Sequence, residues 1–182
     1  MSSIGRRQVH DFICSDLVSA LRRDLRAFKL VREADVECAT YMHLRAFLDS
    51  DPTWTVLARR HVPQTGYFVD LVLFEGKKPR IAIEIKWGRT SFNEKDRRSL
   101  GAAITELGVN KAYWLSASVV GREPLPFEKA EHEKNSLFQV CVRAELNDSE
   151  RMAWEKAKDS YRSGMRNGTG SKQVAIKQRE KV

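Results

Sequence analysis

No apolar run in the 182-residue chain approaches the roughly 18 residues that a membrane helix needs. The first residues, Met-Ser-Ser-Ile-Gly-Arg-Arg, lack the apolar segment of a signal peptide. Together these absences predict a cytoplasmic chain with no membrane partner. Cysteine is scarce, and Cys14, Cys38 and Cys141 show no Cys-x-x-Cys spacing. An odd number of widely spaced thiols argues against a disulfide framework or a zinc site, and predicts reduced, mostly buried cysteines. There is no Gly-x4-Gly-Lys-Ser/Thr motif, and Gly168-Thr-Gly170 is too short to cradle a nucleotide. No internal repeat is present.

What the chain does contain is a globular balance of 42% hydrophobic and 31% charged residues, enough for a substantial core. Its net charge is +8. Arg162, Arg166, Lys172, Lys177, Arg179 and Lys181 face only Glu180 in the last 21 residues, so +5 of that excess lies in the tail. A basic excess favours anionic partners such as nucleic acid through counterion release, without implying base preference. The composition from Ser163 onward predicts a flexible basic tail, 163–182, after one domain spanning 1–162.

In chain order, apolar residues at steps of three and four predict a helix over 3–29, through Val9, Phe12, Ile13, Leu17, Leu21, Leu25 and Phe28. Its arginines read most simply as a solvated face. A second helix is expected over 33–48, with Val36, Leu44, Phe47 and Leu48 inward, ended by Asp49-Ser50-Asp51-Pro52. Residues 54–62 read as a strand ended by Pro63. A helix over 94–107 should pack Leu100, Ala103, Ile104 and Leu107 on a sheet, with Gly108 at its exit. Lys95, Arg97 and Arg98 lie in its first turns, where cations gain nothing from the helix dipole, which suits them to phosphate contact. Strands are expected at 111–118 and 137–143, with a Gly- and Pro-bearing connection between them. A last helix over 148–162 has Asp148 or Ser149 as its cap.

The most informative stretch is Tyr67 to Trp87. Two alternating apolar runs flank Glu75-Gly-Lys-Lys-Pro79, which reads as a hairpin with a five-residue turn. Alternation places Val69, Leu71 and Leu73 on one face with Ile81, Ile83, Ile85 and Trp87, and Asp70, Glu84 and Lys86 on the other. A hairpin symmetric about Lys77 sets Asp70 directly across from Glu84. Like charges so placed, about 4.5–5.5 Å apart at Cβ, destabilise the pair unless something offsets them. A divalent cation does so, and Mg²⁺ is commonly held by one or two carboxylates with water and phosphate completing its shell. The plain alternative is an amphipathic hairpin with a wet charged face, but that face also carries Phe68, Val72 and Phe74.

Asp70-x13-Glu84-x-Lys86 on a hairpin resembles the PD-(D/E)XK nuclease superfamily, over roughly residues 33–118. Val69 stands where that motif has its proline. The resemblance implies an α/β restriction-endonuclease-like core, a central mixed sheet of about five strands flanked by helices, with an N-terminal helix and a basic C-terminal tail. It implies that the 94–107 helix crosses over to set the following strand parallel to the one carrying Glu84. It further implies a Mg²⁺-dependent phosphodiesterase, with Mn²⁺ as a substitute, whose metal ligands are Asp70, Glu84 and the Ile85 carbonyl. Lys86 then holds or helps to deprotonate the attacking water, and Glu37 of the preceding helix, with Glu33 as competitor, adds a carboxylate. DNA is favoured over RNA as substrate, and a homodimer is compatible with the resemblance. A non-cleaving nucleic-acid-binding module and a protein-interaction subunit on the same fold are the other functions considered.

Overall fold

The computed structural model describes residues 3–63, 65–89, 92–120, 136–160 and 163. Helices α1 (Arg6–Cys14), α2 (Asp16–Arg26) and α3 (Glu33–Leu48) precede strands β1 (Trp54–His61), β2 (Phe68–Glu75) and β3 (Lys78–Trp87). Helix α4 (Glu94–Ala102), a π-helical turn (Ala103–Leu107), β4 (Lys111–Val120) and β5 (Leu137–Glu145) follow, and residues 148–160 are helical. The strands form one mixed sheet in the order β1-β2-β3-β4-β5. The first three are antiparallel, and β4 runs parallel to both β3 and β5. The chain is therefore α/β, a five-stranded mixed sheet flanked by helices. Of the expected tail 163–182 all but Ser163, and of the expected connection 119–136 residues 121–135, lie outside the described residues.

Two apolar layers sandwich the sheet. On one side Leu71, Leu73, Ile81, Ile83 and Ile85 meet Val9, Ile13, Leu17, Leu21 and Leu25 of α1 and α2, Val36 and Leu44 of α3, and Trp154. On the other, Val72, Ala82, Ala112 and Trp114 meet Leu100 and Ala103 around α4. Alternation along the strands thus does place two faces against two sets of helices. Val69 departs from it: one pleat beyond the last β2–β3 rung, it packs with Val62 in the α4-side layer.

Several expected elements are corrected by the structure. The first helix is broken at Ser15, so the apolar stripe over 3–29 is carried by two helices. The Ser15 hydroxyl donates to the Asp11 carbonyl alongside its own N–H, at 2.7 and 3.0 Å, a back-bond that bends helices. The hairpin turn holds two residues, not five, since Glu75 already pairs with Lys78. Gly76, at φ +60°, supplies the left-handed conformation that this tight turn needs. A register shift between Leu73 and Phe74 then restores Leu73↔Ile81, Val72↔Ala82 and Leu71↔Ile83, the register of a hairpin symmetric about Lys77. The 94–107 helix is α-helical only to Ala102 before it widens into the π turn.

At the other end, neither Asp148 nor Ser149 is the cap of the last helix. Asn147 takes that place, its Oδ1 accepting Glu150 N–H while Glu150 returns a bond to Asn147 N–H. Within that helix Trp154 is buried but Met152 is 75% exposed. The cysteines are free, yet Cys38 is exposed and Cys14 and Cys141 are only half-buried, so the expectation of mostly buried thiols fails. Among the described residues, no helix is long and apolar enough to cross a membrane.

Candidate active site

The β2–β3 ladder runs from the turn to Leu71↔Ile83, and the next residues along each strand are Asp70 and Glu84. Here a side chain takes over from the backbone: Asp70 Oδ2 accepts the Ile85 N–H at 2.7 Å. Because the N–H and C=O of one strand residue project to the same edge, the Ile85 carbonyl opens toward the same spot. Lys86 Nζ reaches it at 3.0 Å and meets Glu84 Oε1 at 2.6 Å. Asp70, Glu84, the Ile85 carbonyl and Lys86 are thus brought together.

Sequence reasoning missed a third carboxylate. Asp96, in the first turn of α4, is buried and lies 4.0 Å from Lys86 Nζ. Its other oxygen accepts the indole N–H of the fully buried Trp114 at 3.0 Å. Asn93 caps α4 by accepting the Asp96 N–H at 2.8 Å, which sets Asp96 three residues into the helix. An Asp in a first helical turn ordinarily serves the helix dipole. The signal available was an acid flanked by Lys95, Arg97 and Arg98, and it identified only the cations.

Those cations are placed less centrally. Lys95 and Arg98 are exposed, Arg98 pairs with Glu94 at 3.0 Å, and the Arg97 guanidinium sits 4.8 Å from the Phe92 ring centroid. On the opposite flank both α3 acids are near enough to act on Asp70 electrostatically. Glu33 accepts the Trp87 N–H at 3.2 Å, whereas Glu37 lies 3.7 Å from Arg59. Glu37 also lines a cavity of about 340 Å³ with Ala34, Cys38, Tyr41, Ala58 and Leu71.

Burial dominates the electrostatics. It pushes the Glu84 carboxyl up to about 7, with Asp70 adding to the shift and Lys86 opposing it. Burial also raises Asp70, against the pull of the Ile85 N–H and Lys86, and Glu37 and Glu33 push it further up. Lys86 is pulled down by burial, but its bond to Glu84 and the charges of Glu84, Asp70 and Asp96 outweigh this and leave it raised. Lys86 is therefore a cation at neutral pH, and Glu84 is poised between its two forms.

Whether these residues suit a divalent cation can be judged from their unmet bonds. Glu84 Oε2 is buried without a hydrogen-bond partner. Such an orphaned carboxylate oxygen costs free energy that a cation or a proton would recover. Two carboxylates and a carbonyl form a hard, all-oxygen donor set, which fits Mg²⁺ or Mn²⁺ and does not fit zinc. Among the described residues, no group of three His, Cys, Asp or Glu side chains could by itself enclose an ion. A Mg²⁺ ion held by two carboxylates and a carbonyl would keep sites for water and a substrate oxygen, as Mg²⁺ usually does.

No family model matches the chain, and no curated protein matches it. Among solved structures it resembles a chain of an assembly described as a refined half-complex from Thermococcus gammatolerans McrB AAA+ hexamers with bound McrC. The identity is 13% and the TM-score 0.35, over 67% of this chain and 32% of that one. The chain thus spans about a third of the length of that structural relative. A likeness of this size carries no inference about fold or activity.

Proposed function

We propose that this chain is a metal-dependent nuclease on a restriction-endonuclease-like core, hydrolysing phosphodiester bonds in DNA in preference to RNA. The observation that carries the reading is the apposition of Asp70 and Glu84 at the open end of a hairpin, with an orphaned buried Glu84 oxygen and the Lys86 ammonium bonded to Glu84 and the Ile85 carbonyl.

A phosphodiester resists hydrolysis because its anionic oxygens repel a nucleophile and its alkoxide leaves poorly. Asp70, Glu84 and the Ile85 carbonyl would hold the cation, which when bound supplies neutralisation of a phosphate oxygen and a more acidic water. Asp70 is itself oriented by the Ile85 N–H, so the carboxylate is held in position before substrate arrives. Without metal, the bond to Glu84 and the charges of Glu84, Asp70 and Asp96 favour the protonated, hydrogen-bond-donating form of Lys86. Its part is electrostatic: it stabilises charge gathering on the phosphoryl oxygens as the bond breaks. Glu37 adds negative charge beside Asp70 from α3, and Lys95, Arg97 and Arg98 of α4 supply positive charge for the nucleic-acid backbone.

The test is cleavage of supercoiled plasmid, linear duplex, single-stranded DNA and RNA with Mg²⁺, Mn²⁺ or EDTA, comparing the parent with Glu84→Gln. Metal-dependent cleavage lost in the variant supports the reading. Salt-sensitive binding without cleavage by either protein replaces it with a non-cleaving binding module. Neither binding nor cleavage leaves a protein-interaction subunit.

A further inference from the structure

Lys86 occupies the donor set that a cation would need: its Nζ lies 2.6 Å from Glu84 Oε1 and 3.0 Å from the Ile85 carbonyl. We infer that Asp96 is a positioning residue that receives the Lys86 ammonium when a divalent cation takes over the Glu84 carboxylate. The inference rests on the metal-dependent reading above and adds to it how the site changes partners.

Asp96 is built for such a role. One of its oxygens is pinned by the Trp114 indole N–H at 3.0 Å, and Trp114 is fully buried against Phe92, ring centroids 5.3 Å apart. Its backbone is held by the Asn93 cap. The remaining oxygen faces Lys86 Nζ at 4.0 Å, beyond a hydrogen bond but within reach of a small swing of the lysine stem. The carboxylate is anchored through its side chain and its backbone, so the move falls to the lysine stem.

The energetic reason is desolvation. The Lys86 side chain is only 16% exposed, so an ammonium released from Glu84 has little water to turn to. Breaking a buried ion pair without a replacement strands an uncompensated charge. Asp96 provides that replacement, so Glu84 and the Ile85 carbonyl can be vacated without leaving Lys86 unpaired. Lys86 stays charged and at the site's edge, where a substrate phosphate would meet it.

The experiment is Mn²⁺ binding, followed by calorimetry, to the folded parent, Asp96→Asn, Lys86→Gln and the double variant. Asp96→Asn keeps side-chain volume and an acceptor for the Trp114 N–H. Its Mn²⁺ affinity is expected to fall about tenfold with Lys86 present and less than about twofold in the Lys86→Gln background, the signature of a coupled pair. Asp96→Glu retains the carboxylate and should stay within about threefold of the parent, a check independent of whether the Asn variant folds. Equal weakening in both backgrounds would mean that Asp96 acts only through its distant charge, and no weakening would mean that it plays no part; either overturns the inference while leaving the metal reading intact. A folded parent that binds no Mn²⁺ overturns both.

Discussion

Asp70 Oδ2 accepts the N–H of Ile85 at 2.7 Å, so a carboxylate side chain supplies the bond that a neighbouring strand's carbonyl would otherwise make. The same interaction fixes the acid beside Glu84 and holds the end of β3 where the hairpin ladder stops. Structural support and the electrostatics of the site are thereby joined in one side chain.

Replacing Asp70 separates those two roles. Asp70→Ala leaves the Ile85 N–H without its acceptor, at a cost of about 1–3 kcal/mol. Asp70→Asn keeps an acceptor and removes the like-charge repulsion on Glu84, so it should be at least as thermostable as the parent while losing metal-dependent cleavage. Thermal denaturation alongside plasmid cleavage checks both, and a marked drop in the Tm of Asp70→Asn would contradict the two-role assignment.

The pH dependence of stability follows from Glu84. Its folded pKa, about 7, lies above the ordinary 4.5, so the folded chain binds this proton more tightly than the unfolded chain does. The associated stability is complete below about 4.5 and is lost as pH rises through about 7. Urea denaturation between pH 5 and pH 8 in EDTA should show this fall, reduced in Glu84→Gln. Mg²⁺ should oppose it, stabilising the parent more at the alkaline end because it competes with the proton. An identical slope in parent and variant would rule out Glu84 as the source.

A second carboxylate carries the opposite sign. Asp51 accepts bonds from the Ile4 N–H, the Ser3 hydroxyl, and the Thr53 N–H and hydroxyl. The Thr53 hydroxyl leads in lowering its pKa to about 2, followed by the Ile4 and Thr53 N–H groups. Its stabilisation is present above the ordinary 3.8 and is lost as pH falls through about 2. Asp51→Ala should lower the Tm and free residues 3–5 from the start of β1, which hydrogen exchange at Ile4 would report. Unchanged protection there would show that the Trp54 indole bond to the Ile4 carbonyl suffices alone.

The α4 cations can be tested by salt. A side chain that neutralises one phosphate should, when truncated, reduce the slope of log K against log salt by about 1. Lys95→Ala and Arg97→Ala are expected to do so for nucleic-acid binding measured in Ca²⁺. Arg98→Ala should have a smaller effect than Lys95→Ala, because Arg98 is paired with Glu94. Three unchanged slopes would remove this helix from the binding surface.

Packing sets the expected cost of core changes. Ile83 is fully buried at the middle of the sheet, and Ile83→Ala should destabilise the fold by about 2–5 kcal/mol. Chemical denaturation measures this directly, and a loss under about 1 kcal/mol would mean that the cavity collapses.

Local pattern determined much of this protein. The period-two alternation of 80–87 is a property of the strand backbone, so it alone placed Glu84 and Lys86 on one face, whereas Asp70, next to the break in alternation at Val69, is placed by its bond to the Ile85 N–H. The 3.6-residue stripe with its Asp-Ser-Asp-Pro stop similarly determined α3 from Glu33 to Leu48. Tertiary structure decided what local pattern does not encode. Ser15 breaks a helix whose apolar period runs on unbroken, its hydroxyl donating to the Asp11 carbonyl alongside its own N–H, a back-bond that bends helices. Glu33 and Glu37, one turn apart, are told apart only by what faces them, the Trp87 N–H or Arg59. Asp96 reads in sequence as a helix-start acid; it becomes a site residue because α4 packs across β3 and β4 and the buried Trp114 holds its carboxylate toward Lys86. Periodicity determines the face on which a side chain lies, whereas its distance from a group on another element is set by how the core between them packs.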